Sequence, residues 1–243
     1  MPTSFERYND ILLDAYVHSK LAGEQSAKKK DLLIEIFQHN RCLMDNVLYV
    51  GFGSWLLDVP NTHVTITEIS QQVRDYLTEQ GVNFQYIPLA ELSTNRKQFD
   101  AVVAMDEYFT FATNDKEQRD KVDQLSELAK QFIVTTLRDY KNQDFKERDF
   151  SYPVSINTGD YKRIYLEQYE FDQEDRNSSL GTSYTITDDG VIVIGPFGRR
   201  NMFFKQLAKF GMDAGARNFI VHKNVMYKST VKRNYEHIIT IKF

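Results

Sequence analysis

The sequence has few of the residues that build disulfide, metal and membrane structures. Its single cysteine, Cys42, excludes an internal disulfide framework, and its five histidines show no metal-ligand spacing. No apolar run approaches the ~18–20 residues needed to cross a bilayer, and the N-terminus carries acids where a secretory signal is apolar. We therefore expect a cytoplasmic protein with no metal site and no membrane-spanning segment.

Two catalytic signatures are also missing. The chain has no GxxxxGK phosphate loop, and no serine in it lies in a nucleophile elbow. Hydrolysis of nucleoside triphosphates and Ser-His-Asp chemistry are therefore not predicted. The remaining composition is that of a globular protein, since 42% of the 243 residues are hydrophobic and 26% are charged. This length suits one sizeable domain, or one domain with a large insertion.

Charge is distributed unevenly along the chain. The net charge is −4, yet residues 191–243 contain ten Lys or Arg against two acids. A basic segment on an acidic protein predicts either an anionic partner or a solvated helix face and hairpin. A nucleic-acid-binding module would use Lys228, Lys232 and Arg233, and its binding would weaken as salt is added. Both interpretations stay open at this point.

The most informative stretch is residues 46–70. An apolar strand at 47–50 is followed by Gly51 and Gly53, and a second apolar strand then ends on Glu68. Small residues after a strand let the backbone approach a ligand closely. A carboxylate at the tip of the next parallel strand can accept hydrogen bonds from ribose hydroxyls. This pattern predicts either a nucleoside site or a closely packed turn followed by a solvated strand end and helix start.

Strands and helices alternate through the first half of the chain, which predicts a doubly wound, mostly parallel α/β sheet. The predicted helices cover residues 3–22, 28–42, 71–80 and 114–131, with a polar break at 22–30. The predicted strands cover residues 47–50, 64–67, 82–87, 100–105 and 132–136.

The alternation stops after residue 136. Residues 137–200 contain aromatic-rich segments separated by turn signals, which predicts a small inserted antiparallel β region at 164–171, 183–187 and 191–197. A helix at 202–214 and strand-like segments at 218–223, 225–229 and 237–243 then predict a C-terminal antiparallel hairpin. The predicted division is N-terminal helices at 1–45, a Rossmann-like domain at 46–136 and 201–243, and an insertion at 137–200.

This order of features resembles the class I (Rossmann-like) S-adenosylmethionine-dependent methyltransferases. The resemblance rests on the glycine turn after the first strand, the acid that ends the second, and the acidic-aromatic segment Asp106-Glu107-Tyr108 after the fourth. It also rests on a final helix followed by an antiparallel strand pair, and it covers residues 46–136 and 201–243.

The resemblance implies that the chain binds S-adenosylmethionine and transfers its methyl group by direct displacement to an acceptor that the sequence does not identify. It implies that Asp106 and Glu107 border the methyl-transfer site. The cofactor contacts that it implies come from Gly51, Phe52, Gly53, Glu68, Ile69 and Glu91.

Three further residues are candidates for substrate binding. Tyr108 begins an aromatic run that is either core or part of a substrate cage. Arg199 and Arg200 follow a tight turn, where they either hold an anionic substrate or form an ordinary exposed pair.

The glycine turn departs from the family pattern at its edges. Tyr49 stands where the family usually has an acid, and Ser54-Trp55 stand where another small residue is common. The chain also lacks the Asn-Pro-Pro-Tyr signature of enzymes that methylate nucleobase amino groups. A second hypothesis is therefore a catalytically degenerate methyltransferase-like protein that serves in binding or assembly.

Overall fold

The computed structural model describes residues 3–18, 20–53, 56–57, 64–92, 97–138, 148–150, 154–157, 162–175, 177–222 and 236–243. The helices are α1 Ser4–His18, α2 Lys20–His39, α3 Gln71–Glu79, α4 Leu89–Leu92, α5 Asp115–Leu128 and α6 Phe204–Asp213. The strands of the main sheet are β1 Val47–Val50, β2 Val64–Thr67, β3 Phe84–Tyr86, β4 Phe99–Ala104, β5 Ala129–Arg138, β11 Asn218–Val221 and β12 Glu236–Lys242. The strands of the second sheet are β6 Arg148–Phe150, β7 Val154–Asn157, β8 Lys162–Phe171, β9 Ser178–Thr187 and β10 Gly190–Arg200.

The main sheet confirms the predicted doubly wound α/β architecture. Its strand order is β11-β12-β5-β4-β1-β2-β3. Strands β1 to β5 pair in parallel, whereas β12 runs antiparallel to β5 and β11 antiparallel to β12. The strand order reverses direction at β1, which lies between β2 and β4. In open α/β sheets, ligands bind at such a reversal, outside the carboxyl ends of the strands.

Residues along each central strand alternate between two cores. Leu48 and Val50 of β1 pack into a core that α5 and α6 cover. Val47 and Tyr49 pack into a second core that α2 and α3 cover. All four residues of β1 are buried, as expected for a strand covered on both faces.

The predicted polar break at residues 22–30 is wrong, because α2 is helical from Lys20 to His39. Most residues of this stretch are Ala, Glu, Gln or Lys, which are good helix formers, so their polarity does not end the helix. The sequence also left open whether these helices cover a sheet face or the ligand cleft. Helix α2 covers a face, with the Phe37 ring 5.6 Å from that of Phe132. Helix α1 contributes Phe5 to one core and Leu13 to the other, so it crosses the edge of the sheet.

The second sheet is antiparallel, as predicted, and its strands are longer than the sequence segments suggested. Strand β8 pairs with β9, and β9 pairs with β10. Strands β6 and β7 both pair with β8, at opposite ends of it. The division of the chain into three parts stays a prediction.

Several boundaries differ from the prediction by a few residues. Strand β5 begins at Ala129, so α5 ends three residues earlier than predicted. The C-terminal hairpin consists of β11 and β12, whereas the segment at 225–229 lies outside the described residues.

Candidate functional site

The carboxyl ends of β1, β2 and β4 lie side by side. Val50 of β1 is in register with Thr67 of β2 and with Ala104 of β4. The Gly51 amide also donates to the Thr67 carbonyl at 2.9 Å. The sheet therefore brings the glycine turn, Glu68 and the segment that begins at Asp106 to one edge. We call this edge, formed by residues 51–53, 68–70 and 106–108, the strand-end site.

Three of the five described non-glycine residues with positive φ lie at the strand-end site. Glu68, Asp106 and Glu107 have φ values of 56°, 54° and 60°, in the left-handed region that residues with side chains rarely adopt. Each such residue costs about 1–3 kcal/mol, and strained residues cluster at ligand and catalytic sites. Glu68 directly follows β2, and Asp106 follows β4 after one residue. The strain therefore points to a functional site at this edge.

Helix α1 packs directly against the glycine turn. Gly51 has a φ of 87°, and a Cβ placed on it would lie 2.6 Å from the Phe5 ring and 3.0 Å from the Asn9 Oδ1 atom. The Phe52 amide donates to Asn9 Oδ1 at 2.5 Å. Glycine is thus required at position 51 both by its conformation and by the approach of α1. This role of α1 was not predicted from the sequence, although a polar Asn9 among apolar helix positions was a signal.

The Glu68 carboxylate has no hydrogen-bond donor within the described part of the chain. Its main-chain oxygen accepts from Asn9 Nδ2 at 3.3 Å. Burial and, secondarily, repulsion by Glu6 raise the pKa of Glu68, and Lys121 lowers it in part. A partly buried carboxylate with no donor among the described residues can accept hydrogen bonds from a ligand that carries donors of its own.

The residues beside Glu68 hold the start of α3. Ser70 is the N-cap of α3, as predicted, and its hydroxyl accepts from the Val73 amide at 3.2 Å. The same hydroxyl donates to Asp10 of α1. Ile69 is fully buried and Phe52 is 3% exposed, so any ligand contact from these two residues comes from their main chain.

Asp106 forms a nearly buried ion pair. The Lys29 Nζ atom of α2 lies 2.7 Å from Asp106 Oδ1, and the two side chains are only 8% and 15% exposed. Lys29 lies in the stretch that was predicted to be a polar break. The ion pair holds the Asp106 carboxylate at the end of β4.

Glu107 is paired with the predicted substrate residue Arg199. The Arg199 Nη1 atom lies 3.1 Å from Glu107 Oε2, and its Nη2 atom lies 3.5 Å from Glu167 Oε1. The Arg199 side chain is 2% exposed, and its guanidinium lies 4.6 Å from the ring centroid of Phe111 and 5.0 Å from that of Tyr8. Arg199 therefore joins β10 of the inserted sheet to the end of β4.

Arg200 lies away from these groups, at the junction of β10 with α5. Its Nε atom lies 2.6 Å from Asp115 Oδ1, and its Nη1 atom pairs with Asp175. Glu91 is exposed on α4, which follows the outer strand β3. The strand-end site therefore includes neither Arg200 nor Glu91 in this structure, and their predicted ligand contacts stay predictions.

Tyr108 lies at the strand-end site but is buried, with 1% of its surface exposed. Its ring centroid is 5.0 Å from that of Phe5, and Lys121 Nζ lies 4.6 Å from it. Burial, together with the charges of Glu68 and Glu117, raises the pKa of Tyr108 well above 10. This environment therefore favours the neutral phenol over the phenolate.

The inserted sheet holds α1 from the other side. Arg163 of β8 donates two hydrogen bonds to the Asp14 carboxylate, at 2.7 and 2.9 Å, and the Tyr165 hydroxyl donates to it at 2.8 Å. The ring of Tyr8 lies 6.5 Å from that of Phe197 on β10. Helix α1 thus lies between the strand-end site and the inserted sheet.

Metal-binding clusters and membrane-spanning helices are two features that the described residues lack. No cluster of His, Cys, Asp and Glu side chains there has the arrangement to hold a metal ion. No described helix combines the length and apolar character that crossing a membrane requires.

Solved structures share this fold over nearly the whole chain. An S-adenosylmethionine-dependent methyltransferase from Clostridium acetobutylicum ATCC 824 is 15% identical, with a TM-score of 0.68 over 97% of this chain and 98% of that one. An S-adenosylmethionine-bound amino pentose methyltransferase from Micromonospora echinaspora is 11% identical, with a TM-score of 0.65 over 96% and 97%. A sugar N-methyltransferase from Streptoalloteichus sp ATCC 53650 is 12% identical, with a TM-score of 0.65 over 94% and 92%.

These likenesses show that the chain has the Rossmann-like methyltransferase fold, which confirms the fold class predicted from its sequence. No protein-family model and no curated protein matches the chain.

Proposed function

We propose that this protein is an S-adenosylmethionine-dependent methyltransferase that binds its cofactor at the strand-end site. The proposal is supported by the fold, which this chain shares with solved methyltransferases. One of those structures has S-adenosylmethionine bound. The observation that carries it is the Glu68 carboxylate. It is partly buried at the tip of β2, beside the reversal of strand order, and no described residue donates to it.

The described residues fit the cofactor in chemical terms. The two hydroxyls of a ribose can donate to the Glu68 carboxylate, and a charged acceptor makes such bonds strong. We assign the main chain of Gly51, Phe52 and Gly53 to the methionine part and the main chain of Ile69 to the adenosine part. Glu91 is assigned to the adenine amine, as the family pattern implies.

The bound cofactor would supply an electrophilic methyl group on a sulfonium. The protein's contribution is to align the acceptor with that methyl group and to keep water out, since displacement depends mainly on alignment. Asp106 is paired with Lys29 and Glu107 with Arg199, and Asp106 is the more exposed of the two acids, at 15% against 9%. Where the acceptor must lose a proton, we therefore assign Asp106 as the base that receives it. We assign a positioning role to Glu107.

Calorimetric titration with S-adenosylhomocysteine tests the proposal. We expect wild-type protein to bind at micromolar strength. Glu68→Ala should weaken binding by about tenfold to 150-fold, since hydrogen bonds to a charged group contribute about 1.5–3 kcal/mol. The matched control is Glu79→Ala, which removes an exposed glutamate of α3 and should leave binding unchanged. Amino sugars are the first acceptors to assay, because two of the similar structures are sugar methyltransferases.

A second candidate function is that of a binding or assembly protein on a methyltransferase scaffold. The packing of Phe5 against Gly51 favours this second candidate, and so does the hydrogen bond from the Phe52 amide to Asn9. Both contacts occupy one side of the glycine turn. Absence of binding at millimolar S-adenosylhomocysteine, together with a stable oligomer or partner complex, would support this candidate over the enzyme.

The nucleic-acid hypothesis has less support. Arg199 and Arg200 of the basic segment are engaged in ion pairs with acids of this chain. Lys228, Lys232 and Arg233 lie outside the described residues, so an anionic partner at the C-terminal quarter stays a prediction. Binding to duplex or single-stranded DNA that falls steeply with added salt would support it.

A further inference from the structure

Asn9 links the two halves of the strand-end site. Its side chain is 1% exposed and lies between the glycine turn and the end of β2. Its Oδ1 atom accepts from the Phe52 amide at 2.5 Å, and its Nδ2 atom donates to the Glu68 carbonyl at 3.3 Å. The same Nδ2 atom donates to the Phe5 carbonyl at 2.6 Å, within α1. One carboxamide thus connects α1, the turn after β1 and the residue after β2.

The bonds of Asn9 require a side chain with both a donor and an acceptor. A carboxamide has both, whereas a carboxylate would accept from Phe52 but repel the carbonyls of Phe5 and Glu68. An apolar side chain would leave the buried Phe52 amide without this acceptor. Glu68, which accepts one of these hydrogen bonds, is also in the left-handed conformation. That conformation must be stabilised by the surrounding structure.

Helix α1 is fixed on either side of Asn9, so the carboxamide cannot move away easily. Asp10 accepts a hydrogen bond from Ser70 at the start of α3. Asp14 is held by Arg163 of the inserted sheet. The ring of Phe5 packs on Tyr108, with ring centroids 5.0 Å apart.

We infer that Asn9 is a positioning residue for cofactor binding, which sets the distance and orientation between the glycine turn and Glu68. This inference rests on the proposed function. Asn9 reaches the ligand through two groups that contact different parts of it, the turn on the methionine side and Glu68 on the ribose side. Because Asn9 sets the position of the turn relative to Glu68, most of the effect of losing Asn9 should disappear when Glu68 cannot bind the ribose.

The alternative is that Asn9 is only a satisfied polar residue in the core. Asn40 provides a matched control, since its Nδ2 atom donates to the Ile36 carbonyl at 2.7 Å, the same bond to the fourth preceding residue that Asn9 makes to Phe5. Asn40 follows α2 and precedes β1, away from the carboxyl ends of the strands. Asn40→Ala therefore removes a similar helix bond without affecting the strand-end site.

A double-mutant cycle with Glu68→Gln tests the inference, with the dissociation constant for S-adenosylhomocysteine as the measured quantity. We expect Asn9→Ala to weaken binding at least tenfold in the wild-type background and less than threefold in the Glu68→Gln background. Asn40→Ala should change binding less than twofold. A residue with a merely structural role would give equal losses in both backgrounds.

The outcomes separate the inference from the function on which it rests. Wild-type protein that binds no S-adenosylhomocysteine overturns the proposed function and this inference with it. The inference alone is overturned if Asn9→Ala changes binding less than twofold in the wild-type background. It is also overturned if the fold-losses of the two single variants multiply in the double variant. If Asn9→Ala shows no cooperative unfolding transition, Asn9→Asp takes its place in the cycle, because it keeps the acceptor for Phe52 and lacks the donor to Glu68.

Discussion

The ends of β2 and β4 lie on either side of β1, and both carry acids in a strained backbone. At the end of β4, Asp106 is paired with Lys29 and Glu107 with Arg199. At the end of β2, no described residue donates to the Glu68 carboxylate. The comparison separates two uses of a buried acid. Both acids of β4 connect the main sheet to another element, α2 or the inserted sheet, and we also assign Asp106 to proton removal. Glu68 is assigned to the ligand alone.

The largest expected effect is the loss of Arg199. Arg199→Met leaves Glu107 and Glu167 without their shared cation in a buried position, and breaking such a pair costs about 3–5 kcal/mol. Urea denaturation measures the change in the free energy of unfolding. Arg148→Met is the matched control, because Arg148 pairs with Glu170 in the same sheet but both side chains are exposed, at 61% and 42%.

The control variant should lose less than about 1 kcal/mol, as exposed pairs do. Equal losses in the two variants would mean that the pair at the end of β4 has no special structural role. A loss of stability in Arg199→Met with unchanged binding of S-adenosylhomocysteine would agree with separate roles for Glu107 and Glu68, since the assigned ribose contact lies at the end of β2.

A smaller effect is expected at the second pair of β4. Lys29→Met removes the cation beside Asp106, which is slightly exposed, so we expect a loss of about 2–3 kcal/mol, below the range for a fully buried pair. Lys130→Met is the control, since Lys130 pairs with Asp100 across an exposed contact. Thermal unfolding by circular dichroism compares the two. A loss no larger than that of the control would show that solvent already screens the Asp106 carboxylate.

The sequence predicted the parts of the site that depend on local pattern. The apolar runs at 47–50 and 64–67 have the strand bounds that the structure gives, and Ser70 caps α3 as predicted. The glycine turn and Glu68 therefore meet because adjacent parallel strands end at one edge of the sheet. These features follow from hydrophobic periodicity and capping, which are encoded within a few residues of each position.

The sequence did not predict which residues pair with the acids of β4. Lys29 lies 77 residues from Asp106 along the chain, and Arg199 lies 92 residues from Glu107. No periodicity relates positions so far apart, because such contacts depend on how whole elements pack. The position of α1 is a similar case, since an amphipathic helix can cover a sheet face or a cleft with the same apolar stripe.

The smallest effect distinguishes the two kinds of acid most directly. Burial raises the pKa of Glu68 in the folded protein, so between the pKa of the unfolded chain and the higher folded value the folded state binds more protons. Stability contributed by that proton is present at low pH and is lost as the pH rises through this window. Glu68→Gln removes the titration.

We therefore expect Glu68→Gln and the wild type to be equally stable near pH 4. At pH 7 the variant should be more stable by a few tenths of a kcal/mol, because one pKa unit corresponds to about 1.4 kcal/mol and the partial exposure of Glu68 reduces the effect. Urea denaturation at the two pH values measures the difference. A variant less stable than wild type at pH 7 would mean that the Glu68 carboxylate is held by donors within the protein. A more stable variant that binds S-adenosylhomocysteine more weakly is the pattern expected of a carboxylate whose burial costs stability and whose partner is a ligand.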